Sequence, residues 1–418
     1  MYKKRLIILF VCIILLTTLN AQAALNPRAI GLGHDFSTLS GDDFYYSNPA
    51  GLAGREKTAS LKSFASFSAW NNILDNTEFT EDVIKSKLED EDLILAARSA
   101  AGVHFYYKNF ALGISGRADG LMELDSDVTE ILTADKPQIT FENGEITADS
   151  VTANFDVTQG GAAAAADISL SYARPVADRF IDSFNENRDN KIESIYLGGT
   201  FHYLEGDIYN FSGDGEIKAE LENQQIKYSG EAEFITNRTD QKKAVGSVFD
   251  LGINLKMEDR YSFAFALMNI GELSANNFIR DGYKYYPDEN DNTELIEEEI
   301  EDQKVEEQIK YKLPLIYKLG AKLDYSENTA YYAEYSRVDY DNGPTDNIFS
   351  FAGDFRQDSS VPLRFGVNYA SLRESLEVAA GLSLNFNNFK IDFGMADLRA
   401  LFDDAKSVKL GLGTTITF

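Results

Sequence analysis

The sequence predicts an all-β fold: one antiparallel transmembrane β-barrel of about fourteen strands. Three observations carry this expectation. Apolar residues alternate with small or polar ones through runs much longer than the ~5–6 residues of an average soluble strand. The chain opens with an export leader. It ends on an amphipathic strand whose last residue, Phe418, is aromatic. Composition agrees. The mean hydropathy of −0.27 excludes a bundle of membrane helices, each of which needs ~20 mostly apolar residues, but not a barrel that hides its apolar face by alternation. The formal charge of −28 argues against a nucleic-acid partner, which relies on basic groups to neutralise phosphate.

The leader comes first. Met1 to Arg5 is a basic start, Leu6 to Leu16 is apolar, and Ala21-Gln22-Ala23 is a small-residue cleavage site. Residues 1–23 therefore read as a signal peptide, since the apolar run is too short to span a bilayer. The one cysteine, Cys12, lies inside the apolar run. The exported chain is expected to hold itself together without disulfides, in the outer membrane.

The strands follow. In Leu376–Phe386 the even positions are apolar, while Glu377, Ala379, Gly381, Ser383 and Asn385 lie between them. The Asn387-Asn388 turn leads into Phe389, Ile391, Phe393 and Met395, alternating with Lys390, Asp392, Gly394 and Ala396. Phe249 to Met257, Leu315 to Leu323 and Leu363 to Tyr369 repeat the rhythm. Side chains on a strand point alternately to its two faces, so the apolar set is assigned to lipid and the polar set to the lumen. Leu382 and Phe393 are thus read as lipid-facing, Ser383 and Gly394 as inward.

Candidate strands lie near 58–69, 102–108, 110–119, 165–175, 193–206, 208–222, 225–236, 246–257 and 260–270. Others lie near 312–325, 328–340, 346–357, 361–370, 375–386, 388–397 and 406–418. A closed single-chain barrel takes an even number, and about fourteen of these are expected in the wall. The runs 208–222 and 225–236 carry charge on both faces and read as a hairpin projecting beyond the membrane. Long acidic loops are expected at 71–100, 120–163 and 287–310, the first helical or irregular. In the last, Ile296, Ile300, Val305 and Ile309 suggest a short amphipathic helix.

Residues 24–57 are rich in glycine, with Gly31, Gly33, Gly41, Gly51 and Gly54 free to take unusual turns and Pro49 fixing a bend. Irregular backbone at membrane depth is tolerable only inside protein or beside a wet cavity. The segment contains Arg28-Ala-Ile-Gly-Leu-Gly33 and then Asp42-Asp43, followed by Asn48-Pro-Ala-Gly-Leu52. These stretches resemble the start of the FadL/TodX-like superfamily, which includes PorV-like and TraF-like outer-membrane barrels. The resemblance covers about thirty residues, with the strand rhythm and terminal Phe agreeing elsewhere. It implies a barrel of about fourteen strands with an N-terminal hatch in the lumen, and it places Asn48, Pro49, Ala50 and Gly51 in that hatch. It implies passive transport of hydrophobic small molecules such as long-chain fatty acids. Alternatively, it implies a scaffold or accessory barrel with a secretion or transfer partner. On residues alone, 24–57 reads equally well as a plug and as a plain filling turn.

The final run, Val408 to Phe418, places Val408, Leu410, Leu412, Ile416 and Phe418 on one face. It resembles the C-terminal signal read by barrel assembly machinery, with Phe418 as its key residue. Partners expected are therefore a hydrophobic ligand or lipid, outer-membrane lipids and that machinery.

Catalysis is not expected, nor is a cofactor or a metal. His34, His104 and His202 stand in three separate contexts without a nucleophile motif, and His104 and His202 read as lumen residues. Asp288 to Glu299 copies a calcium loop only loosely, because Thr293 stands where the loop needs glycine.

Overall fold

The computed structural model describes residues 26–418 apart from 56–58, 74–91, 126–140, 143–144, 147–150, 155–157, 187–190, 223–224, 259, 289–290, 342 and 402–404. The expected signal peptide, and the segment at 74–91, lie outside the described residues.

Among the described residues eighteen strands organise the main sheet: β1 Ala59–Asn71, β2 Leu93–Tyr107, β3 Phe110–Leu124, β4 Gln159–Pro175, β5 Ile192–Glu222, β6 Gln225–Thr239, β7 Ala244–Met257, β8 Tyr261–Ala275 and β9 Phe278–Pro287, followed by β10 Leu295–Val305, β11 Ile309–Lys312, β12 Leu315–Ser326, β13 Thr329–Asp339, β14 Thr345–Phe355, β15 Leu363–Ala370, β16 Ser375–Phe386, β17 Phe389–Ala396 and β18 Ser407–Thr417, with a further short strand Val151–Asn154 on β5. Fourteen of them, β1–β5, β7, β8 and β12–β18, pair antiparallel with their neighbours. The ring closes where β18 meets β1, Ser60 opposite Thr417. Closure removes the unpaired edges that a bilayer could not satisfy.

The wall obeys its alternation. On β7, Phe249, Leu251 and Ile253 point outward and are exposed, while Asp250 and Asn254 are buried. On β16 and β17, Leu382 and Phe393 are exposed, and Ser383 and Gly394 face in. The outer surface is a belt of large apolar side chains that water could not cover cheaply; lipid covers it. Phe418 donates its backbone N–H to the Ala59 carbonyl at 3.1 Å and so lies on the seam.

Three expectations need correction. The proposed break between 206 and 208 is absent: β5 runs unbroken for 31 residues. Its first part pairs with β7 up to Gly206, and its continuation pairs with β6. Charge on both faces therefore marked the point where the strand leaves lipid, not its end. The loops at 71–100 and 120–163 are shorter than expected, because β2 begins at Leu93, β3 continues to Leu124 and β4 begins at Gln159.

Residues 287–310 are not helical where described. β10 pairs with β9, Tyr286 opposite Ile296, Gly282 opposite Ile300 and Phe278 opposite Val305. The spacing of five between Ile300 and Val305 fits no regular strand. A bulge across Arg280/Gly282 absorbs the extra residue, with Asp302 at φ +49°. That irregularity is what resembled helical spacing. The continuation of β5, with β6, β9 and β10, thus forms a side sheet projecting from the rim opposite the chain ends.

Candidate functional site

Residues 26–55 fill the lumen, packed against the inward faces of the wall strands. Local chemistry shapes the segment. Asn26 caps a short helix, α1 (Pro27–Gly31), by accepting from the Arg28 N–H at 3.1 Å, and Pro27 occupies the first turn, where its missing donor costs nothing. Asn48 caps a 3₁₀ turn at Pro49–Gly54 in the same way, accepting from the Ala50 N–H at 2.9 Å. The wall makes room with glycines. A methyl on Gly31 would lie 2.7 Å from the Gly381 Cα, so backbone meets backbone there. At Gly252 a Cβ would collide with the Asn48 side chain.

Charge holds the first half of the segment. Arg28 donates to Asp43 at 2.8 Å within the segment and to Asp354 of β14 at 2.6 Å. Lys62 of β1 donates to Asp43 at 2.5 Å and to the Asn26 side chain at 3.1 Å. Lys390 of β17 lies 3.5 Å from Asp43 and 3.0 Å from Asp392. Arg364 of β15 completes the chain, 3.5 Å from Asp354, 3.3 Å from Asp392 and donating to Ser383 at 2.7 Å. A buried ion is tolerated only when it is paired, and each of these is. The arrangement clamps α1 and Asp43 to three wall strands, β1, β14 and β17, with Arg364 of β15 bracing two of the wall carboxylates.

Further along, Asn368 donates to the Gly33 carbonyl at 2.8 Å, and Lys318 to the Asp35 carbonyl at 2.6 Å. Tyr45 donates to Ser169 at 2.8 Å and lies against His104, the rings tilted and their centroids 3.6 Å apart. Asn48 donates to the Ile253 carbonyl on β7 at 3.0 Å. Asn48, Pro49, Ala50 and Gly51 are all buried, seated against β4, β5 and β7.

The expectation of three separate histidines holds for His34 alone: His104 and His202 both stand against the Tyr45 ring, on a row that crosses the wall through Gly113 and Ser169. His202 sits between two carboxylates, its Nδ1 2.9 Å from Asp167 and its Nε2 3.1 Å from Asp250. His104 lies in an aromatic cluster with Tyr45, Tyr106 and Phe64. His34 stands 2.8 Å from Ser336 and 3.2 Å from Glu334, a set that superficially suggests a hydrolytic relay. Both contacts use Nε2, however, whereas a relay needs the nucleophile and the orienting acid on opposite ring nitrogens. Among the described residues no group of three His, Cys, Asp or Glu is placed to hold a metal ion.

Beyond the segment, on the side away from the chain ends, the inner wall turns apolar. Leu204, Ile208, Val248 and Leu273 are fully buried there against Phe278, Ile309, Tyr311 and Leu313. The lumen thus has two zones, a polar one clamping the N-terminal segment and an apolar one at the far mouth.

Sequence reasoning located Asn48 to Gly51 but not Arg28, Lys62, Asp354, Arg364, Lys390 or Asp392 as a group. A signal was present: charged residues sit at inward positions of otherwise amphipathic strands, where an unpaired charge would be costly.

No family model matches the chain, and no curated protein matches it in sequence. Solved structures do share its fold. The toluene transporter TbuX of Ralstonia pickettii aligns over 96% of this chain and 100% of its own, with TM-score 0.53 and 13% identity. A FadL homologue of Pseudomonas aeruginosa aligns over 95% and 100%, with TM-score 0.53 and 12% identity. The toluene transporter TodX of Pseudomonas putida aligns over 94% and 97%, with TM-score 0.51 and 13% identity. The chain is a β-barrel with the FadL/TodX-like outer-membrane fold.

Proposed function

We propose that the protein carries hydrophobic small molecules, long-chain fatty acids among them, passively across the outer membrane. The observation that carries this reading is the two-zone lumen. The clamped N-terminal segment fills the polar zone, which is unsuited to bulk diffusion of hydrophilic solutes and sets a general porin aside. The apolar zone of Leu204, Ile208, Val248 and Leu273 is closed on itself, and a ligand that parts these side chains would leave water there, at about 25 cal/mol per Å² of its apolar surface removed. Residues 26–55 would act as the hatch, with Asn48, Pro49, Ala50 and Gly51 moving off β5 and β7 to let the ligand through. The solved structures that share the fold include transporters of toluene, which favours a hydrophobic cargo.

A second reading rests on the side sheet. Among the described residues β10 pairs only with β9, and it exposes Glu297, Glu298, Glu299, Glu301 and Asp302. Such a surface suits a scaffold or accessory barrel that holds a secretion or transfer partner.

Reconstituted vesicles separate the two. Transport expects faster uptake of a fluorescent fatty acid than in empty vesicles, no swelling in sugars, and altered flux in N48A or P49G. Flux equal to empty vesicles, with partner capture lost on deleting residues 288–307, would overturn transport in favour of the scaffold.

A further inference from the structure

One apolar surface is not part of the barrel wall. Between β4 and β5 the chain forms a second helix, α2 (Asp178–Asn185). Pro175 ends the strand, Asp178 places a carboxylate at the helix start, where the dipole favours it, and Asn185 closes the loop through bonds to both the N–H and the carbonyl of Ile192, each 2.8 Å. Ile181 is buried, and α2 packs against β5. Phe180 and Phe184, one turn apart on the same side, are 50% and 53% exposed.

The register fixes where this pair stands. Ala59 pairs with Tyr107, Tyr107 with Phe110, and Phe110 with Tyr172. Tyr107, Phe110 and Tyr172 are all exposed, and the Phe110 and Tyr172 rings lie 4.7 Å apart. They form a stretch of aromatic rim at the end of the barrel where β1 begins and β18 finishes. Tyr172 is three residues before Pro175, and Val176 still donates to the Ile195 carbonyl of β5 at 2.8 Å. The helix therefore starts at the edge of the apolar belt, and its two phenylalanines continue that belt.

We propose that α2 is an interfacial helix, lying along the membrane surface with Phe180 and Phe184 inserted among the lipids of the leaflet nearest the chain ends. Continuity with the lipid-facing belt selects lipid as the occupant. The helix carries Asp178, Arg179 and Asp182, so attraction to charged headgroups is not its driving force; insertion is apolar and insensitive to salt. It pins the β4–β5 hairpin, and hence the wall under Asn48 to Gly51, to a fixed depth.

The test uses the exported protein in lipid nanodiscs, with an environment-sensitive fluorophore on F180C, F184C or S183C. Both phenylalanine positions should fluoresce at shorter wavelength than position 183. They should be quenched at least threefold more by lipids bearing a nitroxide high on the acyl chain, equally in low and high salt. Equal spectra and quenching at all three positions would overturn the proposal. So would shielding that appears only as protein concentration rises, which would assign the face to a second copy, or quenching lost in high salt. The unsubstituted protein gives an independent readout. A photoactivatable phospholipid should label the peptide spanning 178–185, and labelling confined to the barrel strands would refute insertion.

Discussion

Arg364 and Phe365 are neighbours on one strand, yet Arg364 is 2% exposed and Phe365 is 53% exposed. On β17, Asp392 is fully buried and Phe393 is 43% exposed. The outer face meets a solvent that accepts apolar groups without regard to partner. The inner face meets a protein segment and accepts charges only when each finds its counter-ion. A substitution on the outer face should therefore be judged by side-chain chemistry alone, whereas one on the inner face should be judged by which partner it abandons.

That contrast can be broken in several ways. Deleting Phe418 acts on the seam and on the expected assembly signal together. It should abolish the heat-modifiable folded form on unheated gels, and normal heat-modifiable migration of the shortened chain would count against the assignment.

Arg364→Met should come next in severity. It strands Asp354 and Asp392 in the lumen, and breaking a buried pair costs about 3–5 kcal/mol. The lower end is expected, because Arg28 still reaches Asp354 and Lys390 still reaches Asp392. Denaturant titration of refolded barrel measures it, and a companion Asp392→Asn change should restore part of the loss.

Phe393→Arg is expected to cost about 2–4 kcal/mol if the site stands near the bilayer midplane. Its cost should fall in detergent micelles, whereas that of Arg364→Met should not. Equal behaviour of the two variants in bilayer and micelle would remove the distinction between the faces.

Asn48→Ala should be mildest for stability, about 1–2 kcal/mol for the bond to the Ile253 carbonyl and the cap on the Ala50 N–H together. Its effect should appear in flux or ion leakage across a planar bilayer, with barrel migration unchanged.

Much of the wall was legible because strand geometry forces a period of two on any sheet with different solvents on its faces. Phe249, Leu251 and Ile253 against Asp250 and Asn254 needed no knowledge of what lay across the sheet. The reading failed where the solvent difference ended. Beyond Ser212 the continuation of β5 has left β4 as well as β7 and pairs with β6, so the two solvents no longer sort its residues by face. The β9–β10 bulge likewise shifted Val305 out of phase and mimicked a helix.

By itself, then, the sequence determined the class of fold and the outward and inward sets of most wall strands. Only the tertiary structure decided which charges meet. Arg28 and Asp354 are 326 residues apart, His34 and Ser336 are 302 apart, and Asn368 reaches back 335 residues to Gly33. Alternation is local, imposed residue by residue by the backbone. Partnership across the lumen is set when fourteen strands close into a ring around the N-terminal segment, and no short stretch of sequence records which inward positions that closure brings together.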